Sequence, residues 1–518
     1  MKKSDNKNIL IDEVRRETQA YKFWKKDNFG KGDEDQEEDG GYAVVPFVYI
    51  NNRHIEYSSI QYFKIRQTGF TPTITIEFAD EADYFNSVNS IKSGDIISVV
   101  LLSPGDTEKY KPICCDFNVT SIRNISDPSD SGSDTNFGGC FRVKGVLNIN
   151  EVAMHRSYAL KDMTSFEAMR TLAKKCGISF ASNVDATNDR QTWVNCNDPL
   201  EVFMEKITQH AYIDDTCFFH SFIDLNYCLN FIEVDRMYTQ VSKGSFPTDT
   251  TVYMVNYIPD DVNQKKDDTS YRKECINMIT NASPYMGYNN YWTKFNVSTS
   301  NDDSRAYREY CRYYDLKGKE YIDEFAEGQN HQTEGMIALN KGRVVAGKDW
   351  MLENLYTFTD YISTDDSNVH PNYNIAETIN RINMEESQNY SATVRLSGNC
   401  FNLQMYSPVW VDYYDKAAVN LLERSEAYKD EDDEYTKDDD TVKPATRVDS
   451  DNQKREIEAN QEDGTDISSE LYNPGMSGCY VVTGITYEYE DAAMTEEITI
   501  TRREAAPNTR YYETKEGK

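Results

Sequence analysis

Between residues 43 and 150, apolar and polar positions alternate in short runs that end at turn-forming residues such as Gly69 and Gly94. Residues 73–78 alternate most cleanly, as in a strand with one buried and one solvated face. The pattern predicts six strands, at residues 44–50, 55–65, 73–78, 95–102, 113–122 and 141–149. Six short strands with tight turns favour a small closed or nearly closed barrel over an open sheet.

Helical spacing replaces the alternation after residue 163. Thr164 and Glu167 have the Thr-x-x-Glu spacing of a capping box, and Gly177 supplies a left-handed stop. A second helix is predicted to begin with Asp198 as N-cap and Pro199 at its first position. Residues 217–223 and 229–234 then predict a β-hairpin around the polar turn at residues 224–226. Residues 164–236 therefore form a helix, strand, helix and hairpin module.

Several further segments have a weaker pattern. The sequence predicts helical potential at residues 9–24, in an arm that could dock on a partner, and a short helix at 376–386. Residues 305–328 look helical at first and then mixed, whereas 251–255 and 285–297 look like strands. Residues 350–361 are apolar and fit either structure.

The last part of the chain repeats the strand order of the first. Four pairs of segments match loosely: residues 75–78 with 393–396, 96–99 with 409–412, 117–122 with 480–485, and 141–144 with 498–501. Alternating strands often resemble one another by chance, so the matches leave open whether the chain is duplicated. Residues 427–468, between the second and third matches, are crowded with Asp, Glu and Lys and predict a mobile insertion in a loop.

The charge balance restricts the function. With a net charge of −32 over 518 residues, the chain is a poor candidate for a large nucleic-acid-binding face, which needs clustered Lys and Arg. The acidic run at residues 32–41 lacks the spacing of a calcium loop and predicts a solvated linker. The longest apolar runs fall short of the ~18 residues that span a bilayer. The polar N-terminus predicts no secretory leader.

No metal, cofactor or catalytic site is predicted. The 11 cysteines lack CxxC pairs and favour reduced, mostly buried thiols, with a disulfide framework as the alternative. Cys217, His220, His210 and Cys228 could form a zinc site, but Cys217 and His220 would face opposite sides of a strand. Packing is therefore the preferred interpretation of these four residues. The nucleophile elbow, phosphate-binding loop and zinc-protease helix motifs are all absent from the sequence.

The order of the module, with Trp193-Val194-Asn195 leading into its second helix, resembles the small module inserted in central hub proteins of contractile phage tails. The trunks of secretion-system spike proteins are similar. Residues 478–503, a Gly-Cys-Tyr-Val-Val-Thr-Gly-Ile strand followed by a terminal strand that ends in Arg502-Arg503, resemble the close of such a hub domain. The long acidic arm and the acidic insertion depart from that pattern.

The resemblance implies a β-dominated α+β fold with two tube-like β-barrels in one chain, a small inserted α/β module and a second mixed insertion. Its expected divisions are a polar arm (1–42), the first barrel (43–150), the module (151–240), a mixed region that begins the second barrel (241–390), the second barrel (391–505) with the acidic insertion (427–468), and a tail (506–518).

The implied function is structural and not enzymatic. A homotrimeric baseplate hub in the virion, assembled in the host cytoplasm, would join the sixfold tail tube to the threefold central spike. Expected partners are the tail tube protein, the central spike, the baseplate wedge and the tape-measure protein, with DNA crossing an acidic channel without specific binding. The alternatives are a hub or spike trunk of a contractile injection or secretion system and, from another class, a carbohydrate-active or glycan-binding β protein.

Overall fold

A computed structural model describes residues 8–26, 45–80, 84–101, 112–125, 139–242, 251–255, 275–277, 294–299, 308–315, 319–327, 337–338, 370, 372–387, 390–397, 403–413, 478–490, 493–502 and 504–505. The chain divides into two compact units. The first comprises residues 1–245, 292–408 and 480–504, and the second comprises residues 246–291, 409–479 and 505–518. The predicted elements at residues 32–41, 350–361 and 427–468 lie outside the described residues.

Strands dominate the described residues, which agrees with the predicted β-dominated α+β class. They are β1 (Ile9–Asp12), β2 (Phe47–Ile50), β3 (Arg53–Ile55), β4 (Ile60–Gln67), β5 (Thr73–Asp80), β6 (Ile96–Leu101), β7 (Ile113–Asn124), β8 (Gly139–Leu147), β9 (His155–Met163), β10 (Ser179–Ser182), β11 (Gln191–Pro199), β12 (Phe219–Ile223), β13 (Cys228–Glu233), β14 (Thr251–Val255), β15 (Cys275–Asn277), β16 (Lys294–Thr299), β17 (Arg308–Asp315), β18 (Glu320–Glu327), β19 (Ile337–Ala338), β20 (Tyr390–Ser397), β21 (Pro408–Tyr413), β22 (Gly478–Glu490), β23 (Ala493–Thr501) and β24 (Glu504–Ala505).

The described helices are fewer and mostly short. They are α1 (Gln19–Lys26), α2 (Tyr84–Ser87), α3 (Asn150–Ala153), α4 (Ser165–Cys176), α5 (Leu200–Gln209), α6 (Val234–Ser242) and α7 (Tyr373–Ser387), together with a 3-10 turn at Tyr57–Ser59. Helix α7 confirms the helix predicted at residues 376–386 and begins three residues earlier.

One continuous antiparallel sheet organises the first unit. Its strand order is β16-β20-β23-β22-β4-β5-β8-β7-β6-β2-β3. Each of the six strands predicted from the early alternation has a counterpart, but the one predicted at residues 55–65 begins only at Ile60, after the 3-10 turn at Tyr57–Ser59. Apolar positions such as Phe63, Ile76 and Val143 are fully buried. The sequence did not predict that β4 pairs with β22, which joins the early and late strands in one sheet.

The described strands of the second unit run parallel. Strand β14 pairs with β15, with Tyr253 opposite Ile276, and also with β21, where Tyr253 is opposite Val411. Strand β14 confirms the prediction at residues 251–255.

The capping box at the start of α4 is confirmed. The Thr164 hydroxyl accepts the Glu167 N–H at 3.3 Å, and the Glu167 carboxylate accepts the Thr164 N–H at 3.0 Å. Gly177 ends the helix at φ 64°, and its N–H donates to helix carbonyls. The two reciprocal bonds satisfy amides that the first turn of a helix otherwise leaves without acceptors.

Thr164→Ala is expected to lower the free energy of unfolding by about 1 kcal/mol, since it removes the acceptor for the Glu167 amide. Urea unfolding followed by circular dichroism measures the change. Thr171→Ala is the matched control, because the Thr171 hydroxyl only donates to the Glu167 carbonyl of the same helix. An equal loss in the two variants would contradict a role for the capping box.

The predicted start of α5 is wrong by one residue. Pro199 occupies the N-cap position without a side-chain cap, and Leu200 is the first helical residue. Asp198 cannot cap the helix because β11 continues through Pro199. The Asp198 N–H donates to Asn195 Oδ1 at 3.1 Å, and its carboxylate lies 3.1 Å from Lys206 Nζ.

The predicted hairpin is confirmed as β12 and β13, with Ser221 opposite Phe231. Asp224 Oδ1 organises the turn by accepting the N–H groups of Asn226 at 2.9 Å and Cys228 at 3.0 Å. The hairpin belongs to a four-stranded sheet of order β1-β10-β13-β12.

The N-terminal arm differs from its prediction. Residues 9–12 form strand β1 and pair with β10, and the helix begins only at Gln19. The Asp116 carboxylate accepts the N–H groups of Gln19 at 2.7 Å and Ala20 at 3.0 Å, so α1 begins where a strand of its own chain supplies a cap. The described arm thus packs on its own chain.

The helical start predicted at residues 305–328 is also wrong. Strands β17 and β18 form an antiparallel hairpin in which Tyr310 is opposite Phe325 and Tyr314 is opposite Tyr321. Aromatic residues favour strands when a partner strand is available, and their four-residue spacing in β17 also fits alternation.

Candidate functional site

The described strands of the first unit contain the same sheet motif twice. The first repeat is the strand order β4-β5-β8-β7, and the second repeat is β16-β20-β23-β22. In both repeats the strands lie in the sheet in the order in which they follow along the chain, except that the last strand (β8 or β23) lies third, before the long strand (β7 or β22). The duplication suspected from the sequence matches is therefore present in the topology of these strands.

The residue pairing of the two repeats also corresponds. Phe63 is opposite Ile76 in the first repeat, and Phe295 is opposite Val394 in the second. On their other side, Ile76 is opposite Val143 and Val394 is opposite Ile498. The two sets of strands can therefore be superposed residue by residue along their hydrogen-bonded ladders.

A β-bulge lies at the same place in both long strands. The pairing of β7 with β8 shifts between Val119 and Ser121, and that of β22 with β23 shifts between Val482 and Gly484. The extra residue is a threonine in each case. The Thr120 hydroxyl donates to the Lys144 carbonyl at 3.2 Å, and the Thr483 hydroxyl donates to the Thr499 carbonyl at 3.4 Å. The corresponding residues of the two repeats thus make the same local contact.

The turn beside each bulge is duplicated bond for bond. In the first repeat, the Gly94 N–H donates to the Val119 carbonyl, and the Val119 N–H donates to the Asp95 carbonyl. The Asp95 N–H donates to the Lys92 carbonyl, and the Asp95 carboxylate accepts the Lys92 N–H. The same four bonds recur in the second repeat, where Tyr406 takes the place of Gly94, Val482 that of Val119, Ser407 that of Asp95 and Gln404 that of Lys92. The Ser407 hydroxyl accepts the Gln404 N–H in place of the carboxylate.

Both turns need a left-handed backbone, at Gly94 (φ 89°) and at Tyr406 (φ 65°). Glycine adopts this conformation without steric cost, whereas tyrosine is strained there. The Tyr406 side chain is buried, and its hydroxyl lies 2.8 Å from His220 Nδ1 in the module. The second turn therefore contacts the inserted module through Tyr406. The first turn makes no such contact there, because Gly94 has no side chain.

These pairings correct two of the four sequence matches. Residues 75–78 and 117–122 correspond to 393–396 and 480–485, as predicted. Residues 141–144 were matched two residues out of register, because Val143 corresponds to Ile498. The turns place Asp95 with Ser407, so Ile96 corresponds to Pro408, one residue before the predicted match.

Strands β4 and β22 form the junction between the repeats. Lys64 lies opposite Glu488 in the pairing, and its Nζ is 2.9 Å from Glu488 Oε1. The Tyr62 hydroxyl donates to the same oxygen at 2.8 Å. Only 11% of the Glu488 side chain is exposed, so this ion pair is largely shielded from solvent. Burial and the neighbouring Glu488 raise the pKa of Tyr62 well above its usual value.

One face of the sheet around this junction is polar. Residues opposite one another share a face, and the cations of this face include Lys64, Arg66, Arg123, Arg142 and Lys144. The same face carries four carboxylates, those of Glu77, Glu488, Glu490 and Glu497. Arg142 pairs with Glu77. Two cations of this face, Lys64 and Arg142, are thus paired with carboxylates of the same face.

Tyrosines hold the module against both repeats. The Tyr227 hydroxyl accepts the Asp116 N–H in β7 at 2.8 Å. The Tyr238 hydroxyl bonds Thr501 in β23, and it also donates to the Ser387 carbonyl at 3.4 Å. The module therefore contacts the long strand of the first repeat and the last strand of the second.

A buried carboxyl group supports the Tyr238 helix. Glu233 is fully buried, and its oxygens accept the N–H groups of Asp235 and Arg236, each at 3.0 Å. Burial, reinforced by the Asp235 charge, raises the pKa of Glu233 to about 8. The Arg236 guanidinium, 3.3 Å away, and the two amides act in the opposite direction.

The four residues considered for zinc serve the packing of the module. Cys217 and Cys228 are buried thiols, and burial raises the pKa of each. His210 stacks on Tyr373 with ring centroids 3.7 Å apart, whereas His220 contacts Tyr406. Within the described ranges, no cluster of three His, Cys, Asp or Glu side chains is arranged to hold a metal. Nor is any described helix long and apolar enough to cross a membrane.

No family model and no curated protein matches the chain. Solved structures do resemble it. The 43 kDa tail protein of prophage MuSo2 from Shewanella oneidensis is 10% identical, over 89% of this chain and 98% of that one, with a TM-score of 0.46.

A tail protein from Neisseria meningitidis MC58 is 9% identical, over 89% of this chain and 97% of that one, with a TM-score of 0.45. The E. coli c3393 protein, a component of the type VI secretion system, is 9% identical over 88% and 74% of the two chains, with a TM-score of 0.34. The solved structures that this chain resembles thus include phage tail proteins and a type VI secretion component.

Proposed function

We propose that this protein is a structural hub of a phage tail baseplate, which acts as a homotrimer and joins the sixfold tail tube to the threefold central spike. The duplicated sheet motif, with its matching register, bulge and turn, carries the proposal. Three chains with two equivalent repeats each present six equivalent sheet units. A ring of this kind matches a sixfold neighbour on one side and a threefold neighbour on the other.

The polar sheet face supports a channel role. Two of its cations, Lys64 and Arg142, are already paired within the chain. A phosphate backbone binds where clustered, unpaired cations replace its counterions. Cations that already form ion pairs within the chain contribute little to such binding. In the proposed hub this face lines the passage for DNA.

The partners that follow from this proposal are the tail tube protein, the central spike, the baseplate wedge and the tape-measure protein, in a virion assembled in the host cytoplasm. Its work is geometric, and catalysis has no part in it. The inserted module, held by Tyr227 and Tyr238, fixes the two repeats relative to each other.

The proposal predicts the symmetry of the purified protein. Sedimentation equilibrium at micromolar concentration should give three times the chain mass of 59.7 kDa, and electron micrographs should show a threefold ring with six similar sectors. A stable monomer under these conditions, or a ring with another number of subunits, would contradict the hub assignment.

A further inference from the structure

The two repeats are joined by one strand pairing, and the equivalent pairing on the other side of the repeats is not formed among the described strands of the chain. Within the chain, the edge strand of the first repeat, β4, pairs with the long strand of the second, β22, so that Arg66 lies opposite Thr486. By the matched registers, β16 corresponds to β4 and β7 corresponds to β22. The equivalent contact of β16 with β7 is absent from the pairings of the described strands.

We infer that β16 of one copy pairs antiparallel with the end of β7 of a second copy, in the register of the β4 and β22 junction. The register follows from the two equivalences. Phe295 corresponds to Phe63, which aligns Ser298 with Arg66. Thr120 corresponds to Thr483, which aligns Arg123 with Thr486. Ser298 of one copy therefore lies opposite Arg123 of the next.

Both strands have room for this contact in the described part of the molecule. Strand β16 pairs with β20 along one side, and no described strand is paired along its other side. Strand β7 pairs with β6 only as far as Asn118, so among the described strands only β8 accompanies Ser121 and Arg123. Both of these residues are exposed. Strand edges of this kind pair readily with another strand.

The occupant is a second copy because the chain already contains the complementary surface. The junction pairs an arginine with a hydroxyl residue, Arg66 with Thr486, and the contact between copies again pairs an arginine with a hydroxyl residue, Arg123 with Ser298. The contact is head to tail, since it joins two different strands, β16 of one copy and β7 of the next. Head-to-tail contacts close into rings when the rotation permits. The inference thus deepens the proposed hub and rests on it.

Two variants of the full chain, each with one cysteine added, test the register. Copies carrying Arg123→Cys and copies carrying Ser298→Cys, with different affinity tags, are co-expressed and oxidised. Opposed residues in antiparallel strands lie about 4.5–5.5 Å apart at Cα, within disulfide range. We expect a mixed dimer with one tag of each kind, reversed by reductant and absent when wild type replaces either variant.

Lys294→Cys with Arg123→Cys is the matched control, because Lys294 lies four residues along β16, about 13 Å from the paired position. We expect several-fold less mixed dimer from the control. Circular dichroism and sedimentation of each variant establish that it folds and associates. A trimer that links equally well through Lys294→Cys, or through neither pair, would overturn the register and leave the hub proposal standing. A folded monomer would overturn both.

Discussion

Gly145→Ala is expected to lower the free energy of unfolding by about 2 kcal/mol, because the sheet leaves no space for a side chain there. A Cβ on Gly145 would lie 2.9 Å from the Asn118 carbonyl oxygen and 3.0 Å from Ile74 Cγ2. The carbonyl belongs to β7 and cannot move without disturbing the ladder beside the bulge. The expected loss comes from overpacking, since the neighbouring strands must separate or the ladder must shift.

Urea unfolding followed by circular dichroism measures this loss, and Gly69→Ala is the control. A Cβ on Gly69 would meet no atom within 4 Å, so its substitution should change the free energy of unfolding by less than about 0.5 kcal/mol. If both variants unfold at the same urea concentration as the wild type, the close approach of β7 to β8 at the bulge is not present in solution.

Glu233→Gln is expected to remove a large pH dependence of stability. The folded protein holds the Glu233 proton with a pKa of about 8, above the ordinary value of 4.5. The folded state therefore binds more protons than the unfolded state between these values, and stability falls as pH rises through this window. The full loss is on the order of 4 kcal/mol, and glutamine, which does not ionise, avoids it.

The measurement is the free energy of unfolding between pH 5 and pH 8.5, for the wild type and the variant. Glu167→Gln serves as the control, because Glu167 stays ionised across this range and its replacement should leave the wild-type pH dependence in place. Its capping bond with the Thr164 N–H, together with Arg190, lowers the pKa of Glu167, so ionised Glu167 stabilises the fold above pH 4.5. A wild-type stability that does not decline toward pH 8.5 would contradict a buried, protonated Glu233.

Local chemistry made part of this structure readable from the sequence. The capping box at Thr164 and the turn at Asp224 were predictable because each depends on residues a few positions apart. Asp198 was misassigned because β11 continues through it, and its Asn195 contact outweighs the local preference for an N-cap. Residues 9–12 became a strand because β10 offers them a partner, which helical spacing cannot reveal.

The sequence predicted the duplication but not the exact register of its strands, for a physical reason. Alternation has a period of two residues, so a match shifted by two positions keeps every side chain on its proper face. This explains why the sequence match of residues 141–144 was two positions out of register. The strand pairing, which places Val143 with Ile498, fixes the correct register. Strand β6 is apolar at nearly every position and lacks alternation, so its match was free to slip by one residue.

The two versions of the duplicated turn show how equivalent segments acquire different tasks. Where one version has a glycine, the other keeps Tyr406 in a strained backbone and uses its ring to contact His220 and Phe222. Backbone strain of this kind costs about 1 kcal/mol or more and persists only where the surroundings compensate for it. The halves of the molecule are therefore no longer interchangeable. Replacing residues 404–407 with the sequence of residues 92–95 would put a glycine at position 406, which would relieve the strain there and remove one of the contacts that hold the module.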